Sequence, residues 1–554
     1  MTRIIALLVV LVACGDDAPP PPTDAGMDSA PTDSSTDSRT PPPMPPQPDE
    51  LPAVDVAFPA PGPIAGAAGE GSFTFGAATA AAQIEDMNPD SHWYLWTQPA
   101  SEGGLGNGEA FVGDAARGYT RALDDVGLIT DTNLDAYRFS LSWARIEPQR
   151  DAINEEALAH YDDLIDALVA AGIKPMITVH HFSSPVWIDD PRRDLECPAG
   201  PTDEDLCGFH NDGADQIVEE ARELAQLLAE RYGDRVDEWA TVNEPVNYLL
   251  ASYGLTVFPP GRNLILSDFD RFLEVVRNYV RFHVAIFEAI EEFDTVDADG
   301  DGEAALTGFT LSVAEWLPTR RNVYSEDPED VAAAERIEYV YHYLFPDAVT
   351  AGTFDADFDF DPEESHPEWA DTAEWIGLQY YFRAGVTAEP GVFPVVEVTP
   401  CINGFDLGAC LREREPTHYV PAMLYEYWEP GIYEVLKSFD ARYPAMPLTV
   451  TESGIATEVG RRRAEHVVRS LEWIWQAREE GVDVRGYYHW SLTDNFEWAE
   501  GFEPRFGLYR VDFDTYERTP TEGATTLSEI AGARMMSAAM RTELGGLGPM
   551  TPEE

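Results

Sequence analysis

Lysine is close to absent from this chain of 554 residues: Lys174 and Lys437 are its only two. Arginine does not fill the gap. Lys and Arg together number 36 against 100 Asp and Glu, a formal charge of −64. Nucleic acids and anionic membrane surfaces are bound through clustered cationic side chains, so neither is an expected partner. Cysteine is scarce too. The five are Cys14, Cys197, Cys207, Cys401 and Cys410, without the tight pairs of a structural zinc site. Beyond the amino terminus no apolar run reaches the roughly 18 residues of a membrane-spanning helix. No internal repeat is evident. What is present is 44% hydrophobic and 11% aromatic residues, enough for a sizeable core, so the chain as a whole reads as an acidic globular enzyme or binder.

The amino terminus is built differently. Met1-Thr2-Arg3 leads into an apolar stretch that closes as Leu11-Val12-Ala13-Cys14. One arginine and a short apolar stretch read as a secretory signal. Small residues before a cysteine resemble a bacterial lipobox, in which Cys14 is acylated and tethers the mature chain to a membrane. Residues 15–65 are dominated by Pro, Asp, Ser and Thr, a composition that cannot bury enough surface to fold, and read as a disordered linker. A compartment outside the cytoplasm permits disulfides, and the remaining cysteines form two close pairs. Cys197–Cys207 and Cys401–Cys410 are the expected bridges, worth about 2–3 kcal/mol each. The expected organisation is a signal over 1–14, a linker over 15–65 and one domain over 66–545. The expected location is extracytoplasmic, with the membrane met through the lipid anchor only.

From Phe73 onward, short β-rich runs alternate with helical patterns. The runs are Phe73–Thr79, Leu134–Ser142, Lys174–His181, Glu238–Asn243, Leu306–Ser312, Glu374–Tyr381, Leu448–Glu452 and Arg485–Trp490. Helical periodicity between them is clear over 155–172 and 213–233, and the glycines at 172 and 233 predict the helix ends. Eight β–α repeats predict an α/β fold, a (βα)8 TIM barrel with long loops, whose active site gathers at the C-terminal ends of the strands. Those ends carry Gln83, Arg138, His181, Asn243-Glu244, Tyr381, Glu452 and Trp490, with Glu497-Trp498 just beyond. Two carboxylates facing each other across the mouth are the equipment for breaking a glycosidic bond. The tryptophans suit the apolar face of a sugar, although each alone also suits a core. His283, on a helical stretch, reads as a packing residue.

Five stretches carry a family resemblance: FTFGAATAAAQIE (73–85), YRFSLSWARIEP (137–148), TVNEP (241–245), VTESG (450–454) and GYYHWSLTDNFEWAEGFEPRFGLYRVDF (486–513). From about Gly71 to Arg534 the chain resembles glycoside hydrolase family 1, the β-glucosidase family. The resemblance implies a retaining β-glycosidase, a β-glucosidase in the first place, acting on a small β-glycoside or oligosaccharide without a cofactor. By the same resemblance Glu244 is the acid/base and Glu452 the nucleophile, about 5–5.5 Å apart. Arg138 and Tyr381 would keep Glu452 anionic. Asn243 would hold the sugar 2-hydroxyl, Gln83, His181, Glu497 and Trp498 the terminal sugar, and Trp490 its floor. Glu497 without a following cation favours a plain sugar over a 6-phosphosugar. The chain departs from the family pattern at Phe75, Ala80-Ala81-Ala82, Phe182, Gln379 and Ser453, so sugar preference (glucoside, galactoside or fucoside) stays open. Two alternatives use the same barrel: a transglycosylase, and a catalytically idle glycan-binding lipoprotein. Loops 183–212 and 383–425 are the expected acceptor site.

Outside the barrel pattern, Asp297, Asp299 and Asp301 have the alternate spacing of a calcium loop. The twelfth position is Gly308 rather than glutamate, so 297–303 reads either as a structural Ca²⁺ site or as an acidic surface turn.

Overall fold

The computed structural model describes residues 44–553 apart from 87, 194, 394–395 and 402–405. The expected signal, Cys14 and the expected linker as far as residue 43 lie outside the described residues.

All eight expected runs are barrel strands: β1 Thr74–Ala78, β2 Ala136–Ser140, β3 Lys174–His180, β4 Glu238–Asn243, β5 Leu306–Arg320, β6 Ile376–Thr387, β7 Leu448–Ser453 and β8 Val484–Trp490. Each pairs in parallel with the next. The ring closes through β8 and β1, with Tyr487 opposite Phe75 and Trp490 opposite Ala78. The strands are buried on both faces, as a parallel sheet covered by helices requires.

β5 and β6 outrun their expected ends, which were Ser312 and Tyr381. Past the barrel they continue to pair with each other, Ala384 opposite Trp316 and Val386 opposite Pro318. β6 also gains antiparallel partners at Thr399–Pro400 and Tyr425–Glu426. The extra ladder satisfies backbone groups that would otherwise leave the sheet unpaired, and it raises a rigid overhang above the C-terminal mouth.

The helix over Glu155–Ala170 starts where the Asn154 side chain accepts from the amides of Glu156 and Ala157. It ends before Gly172, whose φ of 76° needs glycine. The helix over Ala214–Tyr232 also stops at its glycine, but Gly233 keeps a right-handed φ of −60°. A Cβ there would run into the Asp294 carboxyl, so close approach, not a left-handed turn, explains that residue.

The expected linker is too long at its C-terminal end. Val56–Ala57 pairs antiparallel with Met535–Met536. Phe58 packs on Phe73, Phe75 and Trp475 with ring centroids 5.0, 5.1 and 5.5 Å away, and the Ile64 amide donates to Glu238. A few apolar residues among the prolines suffice to dock the segment. The other end is corrected as well: Met550 is buried, the Thr551 amide donates to Glu465, and Glu553 accepts from Thr457. The folded body therefore extends beyond 66–545 at both ends. Both disulfides, Cys197–Cys207 and Cys401–Cys410, are formed, with Cα separations of 6.1 and 4.8 Å.

Phe58→Ala should destabilise the barrel by about 3–5 kcal/mol, the cost of emptying a phenylalanine site in a packed core. A urea denaturation midpoint equal to that of the parent would show that the docked segment lies outside the cooperative unit.

Candidate active site

β4 delivers Asn243 and then Glu244, whose backbone is left-handed at φ 41° and ψ 62°. Pro245 opens the next helix and disfavours the right-handed conformation for the residue before it. A left-handed non-glycine residue costs about 1–2 kcal/mol. Phe182 and Trp498, at φ 56° and 45°, share the conformation, and all three line one cavity of about 560 Å³ at the C-terminal mouth. Such strain concentrates where a side chain must be aimed.

Glu452, near the end of β7, is held on both oxygens. Arg138 Nη1 and Gln379 Nε2 donate to Oε1 at 2.5 and 2.8 Å, and the Tyr381 hydroxyl donates to Oε2 at 2.8 Å. Arg138 comes from β2 and has no solvent exposure. Its other nitrogens donate to Asn243 Oδ1 at 2.6 Å and Thr178 Oγ1 at 3.0 Å. Asn243 Oδ1 also accepts from Gln379 at 2.8 Å and Thr310 at 2.9 Å. Glu244 has a thinner set, with Asn247 Nδ2 donating to Oε2 at 2.6 Å.

These surroundings separate two chemically identical groups. Burial raises the pKa of both. For Glu452, the Arg138 guanidinium and the Tyr381 and Arg138 hydrogen bonds pull it back. For Glu244, the Glu452 charge pushes further in the same direction as burial, and its pKa rises to about 8. Glu244 therefore keeps its proton at neutral pH. Tyr381 stays a phenol, held up by burial and then by Glu452. A protonated and an anchored carboxyl sharing one cavity can protonate a leaving oxygen and attack carbon on the opposite side.

The expected sugar residues gather here. His181, Asn243, Tyr381, Trp490, Glu497 and Trp498 line the cavity with the two carboxyls. Gln83 and Arg138 stand behind the wall, bonded to residues that form it. Gln83 Nε2 donates to Phe496 O at 2.9 Å and Glu497 Oε2 at 3.3 Å. The His181 ring lies near-parallel to Trp490 and Trp498, 6.0 and 5.9 Å between centroids. Burial, then Arg138, holds this histidine neutral. Burial, then Glu452, raises Glu497 to about 8. Gln83 Oε1 and His181 Nδ1 are buried without a protein partner.

Gln379, in the sequence a strand-end residue that departs from the family pattern, joins Asn247 and Thr310, which the motifs do not single out. Asn247 had a legible signal, three residues beyond Glu244 on a short helix. Gln379 and Thr310 had none, because their roles depend on strands distant in sequence. Of the expected acceptor loops, 383–425 lines the cavity through Asp406, Leu411 and Tyr425. Loop 183–212 supplies none of the described lining residues. Its acidic groups are drawn elsewhere, Asp189 to Arg262 and Glu196 to Arg271. Phe182 presents its carbonyl to Trp93 Nε1 at 2.8 Å and packs its ring on Trp498. His283 is a packing residue, bonded to Thr241 and to the Thr372 carbonyl.

The acidic loop is arranged differently from its expected ligand set. Asp237, Asp297 and Asp299 converge, and Asp301 is not among them. Asp297 accepts from the amides of Gly300, Asp301 and Gly302, and Asp301 from that of Glu303. Lys174 Nζ lies 2.8 Å from Asp299, so a lysine already supplies positive charge there.

A closed (βα)8 barrel that brings an anchored and a protonated carboxyl to an aromatic-lined mouth defines a retaining β-glycosidase. Residues 69–536 match Glycosyl hydrolase family 1, and the chain belongs to that family. It is 28% identical to a β-galactosidase of Pyrococcus woesei, covering 82% of this chain and 95% of that one. It is 30% identical to a 1,4-β-D-glucan glucohydrolase of Thermotoga neapolitana, covering 80% and 98%. Among solved structures, a β-glycosidase from Pyrococcus horikoshii superposes with a TM-score of 0.69 at 29% identity over 87% of this chain and 98% of the other. A family 1 β-glucosidase from Thermotoga maritima gives 0.69 at 26% over 84% and 98%. Neither the transglycosylase nor the idle binder finds support among these relatives.

The raised Glu244 pKa is also a stability statement. Between its ordinary value of 4.5 and about 8, the folded protein holds a proton that the unfolded chain has released, so stability falls as pH rises through that window. Glu244→Gln removes the effect. It should leave the melting temperature near the parent value at pH 4 to 5 and raise it increasingly toward pH 8. Melting curves that differ by the same amount at every pH would refute the assignment.

Proposed function

We propose that the protein is a β-glucosidase that releases terminal non-reducing β-D-glucosyl residues from small glycosides, with Glu452 as nucleophile and Glu244 as acid/base. The observation that carries this is the asymmetry of the two carboxyls. Glu452 is anchored by Arg138, Gln379 and Tyr381, whereas Glu244 is raised to about 8. In the first step the Glu452 carboxylate bonds to the anomeric carbon, the bond to the leaving oxygen breaks, and that oxygen takes the Glu244 proton. The ester on Glu452 is neutral, so one of the two causes that raised Glu244 is gone. Its pKa falls, and it can take a proton from water as the water oxygen displaces Glu452. Two inversions give retention. On this reading Asn243, fixed by Arg138, binds the 2-hydroxyl, and His181, Glu497 and the tryptophans bind the rest of the ring, with Gln83 supporting Glu497 from behind.

A glucosyl residue is favoured by relatives that include β-glucosidases of Arabidopsis thaliana and Thermotoga maritima and a glucan glucohydrolase of Thermotoga neapolitana, beside the β-galactosidase of Pyrococcus woesei. A plain sugar is favoured over a phosphorylated one by Arg505, which faces Glu458 and Asp494 at 3.7 and 3.8 Å instead of the pocket.

Glu452→Ala should lower kcat/KM by at least about 10³-fold, with azide restoring turnover and yielding an α-glycosyl azide. Glu244→Ala should retain activity mainly on aryl glycosides whose leaving group needs no proton. Normal cleavage of unactivated glycosides by either variant would refute the roles.

We propose further that the protein is an extracytoplasmic lipoprotein anchored through Cys14. The lipobox-like sequence and the disulfides support this reading, and no helix of the described residues is long and apolar enough to cross a membrane. Cys14→Ser should move the protein from the detergent phase to the aqueous phase in cloud-point partitioning. A parent protein already in the aqueous phase would overturn the anchor.

A further inference from the structure

Residues 548–553 lie beyond the stretch that matches the family, which closes at 536, yet they are folded against a loop of the active-site mouth. That loop, 411–426, forms one wall of the cavity through Leu411, Glu413, Tyr419, Met423, Tyr425 and Glu426. Its ladder to the barrel is short. Arg383 of β6 pairs with Glu426, and Tyr419–Val420 pairs back onto Tyr425–Glu426. The middle of the loop is pinned by the later segment. The Met550 amide donates to Thr417 Oγ1 at 2.9 Å, and the Gly548 carbonyl accepts from His418 Nε2 at 3.2 Å. Arg462, on the helix over Gly460–Glu479, donates to the Tyr419 carbonyl at 2.8 Å and to the Thr551 carbonyl at 3.4 Å. Arg469 of the same helix donates to the Gly548 and Pro549 carbonyls at 3.0 and 3.4 Å. Met550 is 2% exposed and His418 not at all. At the far end Glu553 Oε1 accepts from the Thr457 hydroxyl and the Glu458 amide, both at 2.9 Å, in the loop that follows β7.

One short segment thus ties the wall loop to the loop behind the nucleophile strand. Without it His418, Arg462 and Arg469 would lose acceptors, and a buried donor left without one is costly, so the wall would have to rearrange. Glu452 does not lean on the segment, because Arg138, Gln379 and Tyr381 hold it. The wall also stands outward of the nucleophile. Tyr381 touches Glu452, whereas the wall joins β6 two residues further on, at Arg383. On the reading of the chain as a retaining β-glycosidase, we propose that Gly548, Met550 and Thr551 are positioning residues: they hold the 411–426 wall against the leaving group. They therefore act on the first step, in which the leaving group is present, and not on the second, in which water takes its place.

The test compares the parent with a chain ending at Leu547 and, should that chain fail to fold, with Met550→Ala. The substrates are β-glucosyl fluoride, whose leaving atom is too small to reach the wall, and 4-methylumbelliferyl β-glucoside, whose leaving group is large enough to meet it. The expected result is a loss of about tenfold in kcat/KM on the umbelliferyl glucoside, with the fluoride within about twofold of the parent. Enzyme trapped as its 2-deoxy-2-fluoroglucosyl ester should reactivate in water at the parent rate. A loss on the fluoride at least as large as that on the umbelliferyl glucoside, parent activity on both from a folded variant, or slowed reactivation would overturn the assignment while leaving the glycosidase reading intact. A parent that cleaves neither substrate would overturn the β-glucosidase reading as well.

Discussion

The contact between Arg138 and Glu452 organises this molecule. It places a guanidinium with no exposure inside a barrel that would otherwise be filled by apolar side chains. A buried ion pair gains little unless its remaining hydrogen-bonding groups are satisfied, and here Asn243, Thr178 and Thr310 take up the spare donors. Four strands besides β2 thus supply partners for one side chain. The cost of burying the charge is met by fixing strand register, and the fixed register then aims Asn243 and Glu452 into the mouth.

The same charge divides the labour of the carboxyls. Glu452 shares the buried cavity with Glu244, and Arg138 bonds Glu452 directly while acting on Glu244 only from a distance. The protonation difference needed for catalysis follows from which strand the arginine stands on. It does not require a special environment for Glu244 beyond burial and a negative neighbour. Left-handed backbone at Phe182, Glu244 and Trp498 supplies the aiming, and the closed parallel sheet below supplies the rigidity that sustains such conformations.

Much of this was legible in the sequence. The eight strands could be read because parallel strands covered on both faces are short apolar runs, and their ends carry chemistry because the fold opens there. TVNEP and VTESG gave both carboxyls in order. The overhang of β5 and β6 was not legible, since residues 313–320 mix apolar and polar side chains without a turn signal, and their pairing with 380–387 is a long-range fact. Phe58 was hidden by the prolines around it: composition averages over a window, whereas docking needs only the right few residues. Gln379 illustrates the limit within the site. Its substitution could be seen in the sequence, but its bridge from Glu452 to Asn243 emerges only when three strands are side by side.

The scarcity of lysine has a chemical consequence. Lys174 is held between Glu238 and Asp299, and Lys437 pairs with Glu480. The carboxylates around Lys174 keep its ammonium protonated, and an ammonium is a poor nucleophile. A reducing sugar attacks proteins through neutral amines, and a glycosidase works in the presence of the reducing sugar it liberates. This chain presents its own product with almost no side-chain amine to condense with, so its surface is chemically quiet toward the aldehyde that every turnover sets free.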